Sequence, residues 1–349
     1  MTMPPTTLFD ALIIGAGPAG LSAATGLARQ LHTTAVFNSS VFRNGKTKHM
    51  HNVVGWDHCD PADFRAKARE DLLTRYAPTV QFHDFGIESV SKQADGRFEV
   101  RDENGGVWRG KKLVLAVGVK DVFPEIEGYV ECWGEVIFSF TDLSRHHCLF
   151  CDGYEKRGAK SAGVLATDLL DLTPRIMHVG HMAKRLVDNV TIYTNGNNDQ
   201  ASTLQEAIAN VDGFNVDSRP FARLEKRETE AEPKIIIHFK DGSQTEEAFL
   251  VIIPSSCNLR FWNFWFTDDG SCLVQAHGPK YVLNGPFVEQ LGLETIESGE
   301  IKVSPMFNET SMPGVFAVGD CATPMKAVTP AMYMGSGAAV AIVMQLQGK

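Results

Sequence analysis

Residues 8–37 read LFDALIIGAGPAGLSAATGLARQLHTTAVF, and the fold is decided in this stretch. Leu8 to Ile14 is a short, largely apolar run that ends on glycine, as a buried parallel strand does. Gly15, Gly17 and Gly20 then form a G-x-G-x-x-G turn, LSAATGLARQL carries helical spacing, and TTAVF is a second apolar run. Strand, glycine turn, helix and strand in this order make a βαβ unit. Gly15 permits the tight turn, Gly17 lets backbone N–H groups approach a pyrophosphate, and Gly20 lets the helix pack close to the strand. Pro18 and Ala19 open the helix, whose N-terminus offers partial positive charge to the same anion. Gly15, Gly17, Pro18, Ala19 and Gly20 are therefore the expected cradle of a dinucleotide cofactor.

In such a unit an acidic residue about 20 positions on grips the ribose from the end of the second strand. Here that place holds Asn38, Ser39 and Ser40. Asn38 can bond a hydroxyl but makes no charge-assisted bond, a departure that disfavours NAD more than FAD. Arg43 and Asn44 follow in the loop, where a cofactor contact and a solvated loop are the competing readings. A second glycine motif, Gly314-Val315-Phe316-Ala317-Val318-Gly319-Asp320, lies near the C-terminus. Its Asp320, placed after a strand and Gly319, can reach a polyol hydroxyl of the cofactor, and the next helix aims its N-terminus the same way.

Between these motifs lies a second α/β pattern, with SAGVLATDLL (161–170) as strand into helix and VTIYTNG (190–196) as a strand. The charged block Arg223 to Pro233 reads as an exposed turn region. Phe261, Trp262, Phe264, Trp265 and Phe266 crowd one segment, either as core or dimer contact or as the wall of an apolar pocket. At 349 residues the chain has room for two domains.

Composition narrows the function. Hydrophobic residues at 44% and charged residues at 21% are ordinary globular usage, excluding a fibrous or disordered chain. The net charge of −9 lacks the basic footprint of a nucleic-acid binder and disfavours an anionic membrane. No basic leader precedes an apolar core at the N-terminus, and no window nears the roughly 18–20 apolar residues of a bilayer span. A cytoplasmic location is the expectation, and there a C-x-x-C is catalytic or metal-binding rather than a structural bridge.

Of seven cysteines only Cys148 and Cys151 are close, in His146-His147-Cys148-Leu149-Phe150-Cys151-Asp152-Gly153-Tyr154. Three readings compete. A structural zinc needs four ligands, and adjacent His146 and His147 do not easily face one ion while no second pair exists. Two inert buried thiols are the second reading. The third is a redox dithiol beside a cofactor domain, cycling between dithiol and disulfide. Thiolate chemistry there needs a base, for which His147 and His146 stand beside Cys148 and Asp152 beside Cys151.

Taken together, GAGPAG, LAVGVKD (115–121), the C-x-x-C and VFAVGDC resemble the FAD-dependent pyridine nucleotide-disulfide oxidoreductases, in the order and spacing of the low-molecular-weight thioredoxin reductases. The resemblance implies an α/β fold of two Rossmann-like three-layer domains. Residues 1–118 and 255–349 would form a discontinuous FAD domain, and 119–254 an inserted, degenerate nucleotide-binding domain carrying the C-x-x-C. It also implies FAD contacts at Gly15, Gly17, Pro18, Ala19, Gly20, Asn38, Ser39, Arg43, Asn44, Gly319, Asp320 and Val328, and a homodimer. Cys151 would lie nearest the flavin, Cys148 would exchange with substrate, and Asp152 would serve as acid–base group.

A thioredoxin reductase also needs a second glycine fingerprint for NADPH, yet Arg157 to Asp168 contains none and VTIYTNGNND lacks the arginines that meet a 2′-phosphate. HMHNVVGWDH (49–58), CLFCDGYE, SAGVLATD and VTIYTNG instead resemble the gliotoxin-oxidase-like dithiol oxidases. That resemblance implies oxidation of a small-molecule dithiol to a disulfide, with electrons passing to O2 and H2O2 formed. No metal, nucleic acid, membrane or nicotinamide is expected. An NADPH-dependent thioredoxin reductase is the alternative.

Overall fold

The computed structural model describes residues 8–139, 149, 153–166, 173–230, 232–253 and 281–348. The chain divides into two compact units, one of Met1–Lys120 with Tyr281–Lys349 and one of Asp121–Lys280.

Unit 1 opens with β1 (Leu8–Ile14), α1 (Pro18–Arg29) and β2 (Thr34–Phe37), the unit read from the glycine motif. β1 and β2 are parallel, with Ile14 opposite Phe37. α2 (Pro61–Tyr76) crosses to β3 (Val80–His83), which lies parallel to β2 with His83 opposite Phe37. β4 (Ile87–Lys92), β5 (Phe98–Asp102) and β6 (Val107–Leu115) form an antiparallel meander. β6 then returns beside β1 in parallel, placing Leu115 opposite Ile14. β7 (Val119–Asp121) ends this segment.

Unit 2 contains α3 (Tyr129–Cys132), β8 (Ile137–Ser139), β9 (Ala159–Ala166), α4 (Thr173–Lys184), β10 (Val187–Tyr193), α5 (Asn198–Ala207) and β11 (Phe214–Asp217). A hairpin layer of β12 (Phe221–Arg227), β13 (Lys234–Phe239) and β14 (Gln244–Glu247) precedes β15 (Leu250–Ile253). The five-stranded sheet runs β11-β10-β9-β15-β8, and every pairing in it is parallel. Its two faces are covered differently. Ile176, Val179 and Ala183 of α4 pack with Val164 and Val190, while Tyr129, Phe221, Leu224 and Ile237 pack with Leu165 and Tyr193. The charged block from Arg223 is therefore not an exposed turn throughout, as expected, but in part the strand β12. Phe221 and Leu224 point inward, and the charges are neutralised in pairs: Arg223 with Glu225, Lys226 with Glu135, and Arg227 with Glu246.

The last segment returns to unit 1 as β16 (Tyr281–Leu283), which pairs with β7, then α6 (Phe287–Leu291), β17 (Val315–Ala317) and α7 (Val328–Gln347). β17 adds in parallel to β6 with Ala317 opposite Leu115, completing a seven-stranded sheet. α7 starts two residues before Pro330, which falls where a helical N–H has no intrahelical acceptor. α7 lies directly on α1: a β-carbon on Gly335 would come 2.1 Å from Ala19 O, and one on Gly26 would come 2.6 Å from Ala339 Cβ. Small residues therefore set the helix spacing. Among the described residues no helix is long and apolar enough to cross a membrane.

Candidate cofactor site

The registers of β1, β2, β3, β6 and β17 bring their C-terminal ends level, the edge at which open α/β sheets bind ligands. Each ladder continues one residue further, through Gly15 N–H to Phe37 O (2.9 Å), Asn38 N–H to His83 O (2.8 Å), Ala116 N–H to Ile14 O (2.9 Å) and Val318 N–H to Leu115 O (2.9 Å). Residues 15, 38, 84, 116 and 318 thus form one row along the edge.

The three fingerprint glycines have separate jobs. Gly15 sits at φ +112°, and a β-carbon there would lie 2.2 Å from Ala116 O. On Gly20 it would lie 1.9 Å from Gly15 O. Both positions are closed by the protein's own backbone. Around Gly17 no atom lies within 4 Å of such a carbon, so this face is open. Gly17 is also the N-cap of α1, with no capping side chain, Pro18 in the first turn and no acidic residue there. A closed turn, an open approach and an uncapped helix N-terminus match what a pyrophosphate requires. The residues present therefore fit a dinucleotide.

On the opposite side of the edge, Gly319 is held at φ +77°, where a β-carbon would stand 3.0 Å from Ala19 Cβ. The turn thus packs against the start of α1 and projects Asp320. Arg43 Nη1 donates to Asp320 Oδ2 at 2.8 Å, joining two residues assigned separately from the sequence. Val328 starts α7, whose N-terminus also has no side-chain cap and no acid in its first turn. It is buried with Met50, Val53 and Phe64.

Asn38 and Asn44 are each held in place by neighbouring side chains. Asn38 is nearly buried, and its amide donates to Asp84 Oδ1 (2.8 Å) and Ser40 Oγ (3.2 Å) while accepting from Ser40 N–H (3.0 Å). Asn44 is buried and accepts from Arg65 Nη1 at 2.8 Å, and the Arg65 guanidinium lies 4.0 Å from the Phe42 ring centre. Asn44 thus anchors its loop to α2. Ser39 is exposed beside them.

Two groups lay outside the sequence reading. Asp84 follows β3 and takes a two-pronged pair from Arg69, at 2.6 and 2.7 Å. That pair and the Asn38 amide hold its carboxyl down at about 2. The signal was present, an acid directly after a short strand of alternating apolar and polar residues, but one strand over from where the pattern places it. The second is the fully buried pair Lys326 and Glu300, at 2.7 Å. Lys326 also donates to Thr323 O (2.9 Å) and stands over the Tyr281 ring, closing the loop that leads into α7.

Cys148, Cys151, Asp152 and His147, with the aromatic residues 261–266, lie outside the described residues. The described cysteines are Cys59, Cys132 and Cys321. Burial raises the Cys132 and Cys321 thiols to about 11, which suppresses the thiolate that exchange requires.

A family model described as pyridine nucleotide-disulphide oxidoreductase matches residues 9–148 and 266–335. The thioredoxin reductase aclD of Aspergillus oryzae is 40% identical over 340 residues, 97% of this chain and 96% of that protein. The thioredoxin reductase sirT of Leptosphaeria maculans is 37% identical over 345 residues, 98% of this chain and 95% of that protein. Among solved structures, an oxidoreductase from Agrobacterium tumefaciens matches with a TM-score of 0.74 at 27% identity, over 98% of this chain and 100% of that one.

Proposed function

Because the chain belongs to the pyridine nucleotide-disulphide oxidoreductase family, we propose that it oxidises a small-molecule dithiol to an intramolecular disulfide in secondary-metabolite biosynthesis. O2 is the terminal acceptor and H2O2 the product. Proteins of this family bind FAD, and FAD is the cofactor of this chain. It is held by Gly15, Gly17, Pro18, Ala19 and Gly20, by Asn38, Ser39, Arg43 and Asn44, and by Gly319, Asp320 and Val328. The enzyme works as a cytoplasmic homodimer.

One observation carries the choice of electron source. In unit 1 the turn after β1 is glycine-rich, whereas in unit 2 β9 runs into Ala166-Thr167-Asp168-Leu169 without a glycine. The end of β10 reads Thr194-Asn195-Gly196, and Asn195 Oδ1 is engaged by Phe221 N–H at 2.7 Å. One strand away, Arg219 is bound to both oxygens of Asp217. At this edge the described Arg219 is already committed to Asp217 and does not stand free for a 2′-phosphate, and that supports a substrate dithiol rather than NADPH as the reductant.

The chemistry rests on Cys148 and Cys151. A substrate thiolate attacks Cys148 Sγ, the Cys148–Cys151 bond breaks, and Cys151 leaves as thiolate. The second substrate thiol gives its proton to His147 and attacks the substrate sulfur of the mixed disulfide. Cys148 is released and the substrate disulfide closes. Asp152 holds the proton that the Cys151 sulfur takes up and gives back. One electron pair has then moved from substrate to protein, and of the two protons lost one left when the first thiolate formed and the other is on His147. FAD, when bound, would supply a two-electron acceptor for the reduced Cys148 and Cys151, with O2 as the terminal acceptor.

The names of the relatives favour a second reading, an NADPH-dependent thioredoxin-disulfide reductase. Anaerobic titration separates the two. Flavin absorbance bleached by a reduced small dithiol and not by NADPH supports the oxidase, and bleaching by NADPH at turnover rate rejects it. Oxygen uptake with the dithiol should vanish in Cys148→Ser and Cys151→Ser, and full activity in both variants would refute the exchange steps.

A further inference from the structure

We infer that Asp84 supplies the carboxylate that the strand-end pattern assigns to position 38, and that Asn38 and Asp84 together receive the ribose hydroxyls of the cofactor's adenosine half. The inference rests on FAD lying along the unit 1 edge at the Gly15–Gly20 turn.

Backbone register makes the exchange of roles possible. β2 and β3 are parallel with Phe37 opposite His83, so the next residues, Asn38 and Asp84, stand side by side where both strands end. The Asn38 Nδ2 to Asp84 Oδ1 bond spans that gap.

A count of donors and acceptors shows what the pair offers. Both Asn38 amide hydrogens are given to Asp84 and Ser40, so Asn38 faces a ligand only as an acceptor, through the second lone pair of Oδ1. On Asp84, Oδ1 receives Asn38 and Arg69, while Oδ2 receives Arg69 and retains acceptor capacity. A vicinal diol has two hydrogens to give, and the pair has one acceptor site on each residue. In the usual arrangement a carboxylate at the end of the second strand accepts from the ribose 2′-hydroxyl. The Asp84 side chain is 51% exposed, so the acceptor remains reachable. Arg69, itself stacked on the Phe82 ring at 4.6 Å, fixes its rotation.

The test is a comparison of affinities. Apoprotein is titrated by fluorescence with FAD and with FAD analogues lacking the adenosine 2′- or 3′-hydroxyl. The wild type should prefer FAD to each analogue by about tenfold or more, as expected for a hydrogen bond to a charged or strongly oriented acceptor. In Asp84→Ala the preference over one analogue should fall to near unity, and a general weakening that leaves both ratios intact overturns the inference. Asp84→Asn, nearly isosteric, keeps the test open should Asp84→Ala not fold, and an unchanged preference there also overturns it. Arg69→Ala should lower thermal stability and keep the preference. If it erases the preference as fully as Asp84→Ala, then Asp84 acts only through α2 and the inference fails. Failure of the wild-type apoprotein to take up FAD would instead reject the underlying cofactor placement.

Discussion

Arg43 Nη1 stands 2.8 Å from Asp320 Oδ2 although 277 residues separate them in the chain. Both side chains are largely sheltered, at 13% and 20% exposure. The pair fixes the rotation of the Asp320 carboxylate on the Gly319 turn. Arg43→Ala should therefore weaken FAD binding about tenfold, and Asp320→Ala at least as much, in apoprotein titrations. Equal affinity in both variants and wild type would remove Asp320 from the cofactor's contacts.

The glycine turn predicts opposite outcomes for neighbouring substitutions. Gly20→Ala drives a methyl group into Gly15 O and should cost about 3 kcal/mol of stability, seen as a lower Tm of the apoprotein. Gly17→Ala meets no protein atom and is in extended backbone, so the apoprotein should unfold at nearly the wild-type temperature. Its FAD affinity should nevertheless drop, because the methyl group occupies the pyrophosphate approach.

Lys326 and Glu300 form a buried pair whose loss is costly from either side. Burial by itself raises the Glu300 carboxyl, but Lys326, Ser298 and Tyr281 more than offset this and hold it below its ordinary range. A lowered folded-state value means stability that is present above about pH 4.5 and is lost as pH falls through the folded value. Lys326→Met should cost about 3–5 kcal/mol near neutral pH by stranding a buried carboxylate. Guanidinium melts from pH 7 to pH 3 should show the wild-type advantage shrinking toward acid.

Glu247 behaves in the reverse sense. It is 3% exposed, burial raises its carboxyl above the ordinary value, and Tyr193 OH donates to its Oε1 at 2.7 Å. Ser161, Tyr193 and Thr191 oppose the rise without cancelling the effect of burial. A raised folded value gives stability that is complete below about pH 4.5 and is lost as pH rises through the folded value. Glu247→Gln keeps the acceptor for Tyr193 and removes the charge, so it should raise Tm near pH 8 more than near pH 4. A uniform loss at both would refute the assignment.

Much of unit 1 was legible because its signals are local. A glycine with positive φ, an apolar run of strand length and a helix without acids in its first turn are short-range requirements, so Gly15 to Gly20 could be placed from their own neighbours. The ribose position was legible only in part. Asn38 marked the right place, but its partner Asp84 is 46 residues away and enters through strand register, which no local pattern encodes. Asn44 is marked by the sequence as a loop position near the cofactor, and its bond to Arg65 arises from how α2 lies over the loop. The strand beginning at Phe221 was hidden by its charges, whose partners on β13, β14 and the α3–β8 turn are set by packing.

By itself the sequence determined the βαβ start, the cofactor class and the separation of one C-x-x-C from the remaining thiols, since each depends on residues within a turn or two of one another. The tertiary structure alone decided which groups meet each carboxylate: Arg43 at Asp320, Arg69 and the neutral Asn38 at Asp84, and Lys326 at Glu300. Those partners are brought together by parallel register and helix packing, and the energy of an ion pair depends on distance and burial, neither of which is written in the order of the residues.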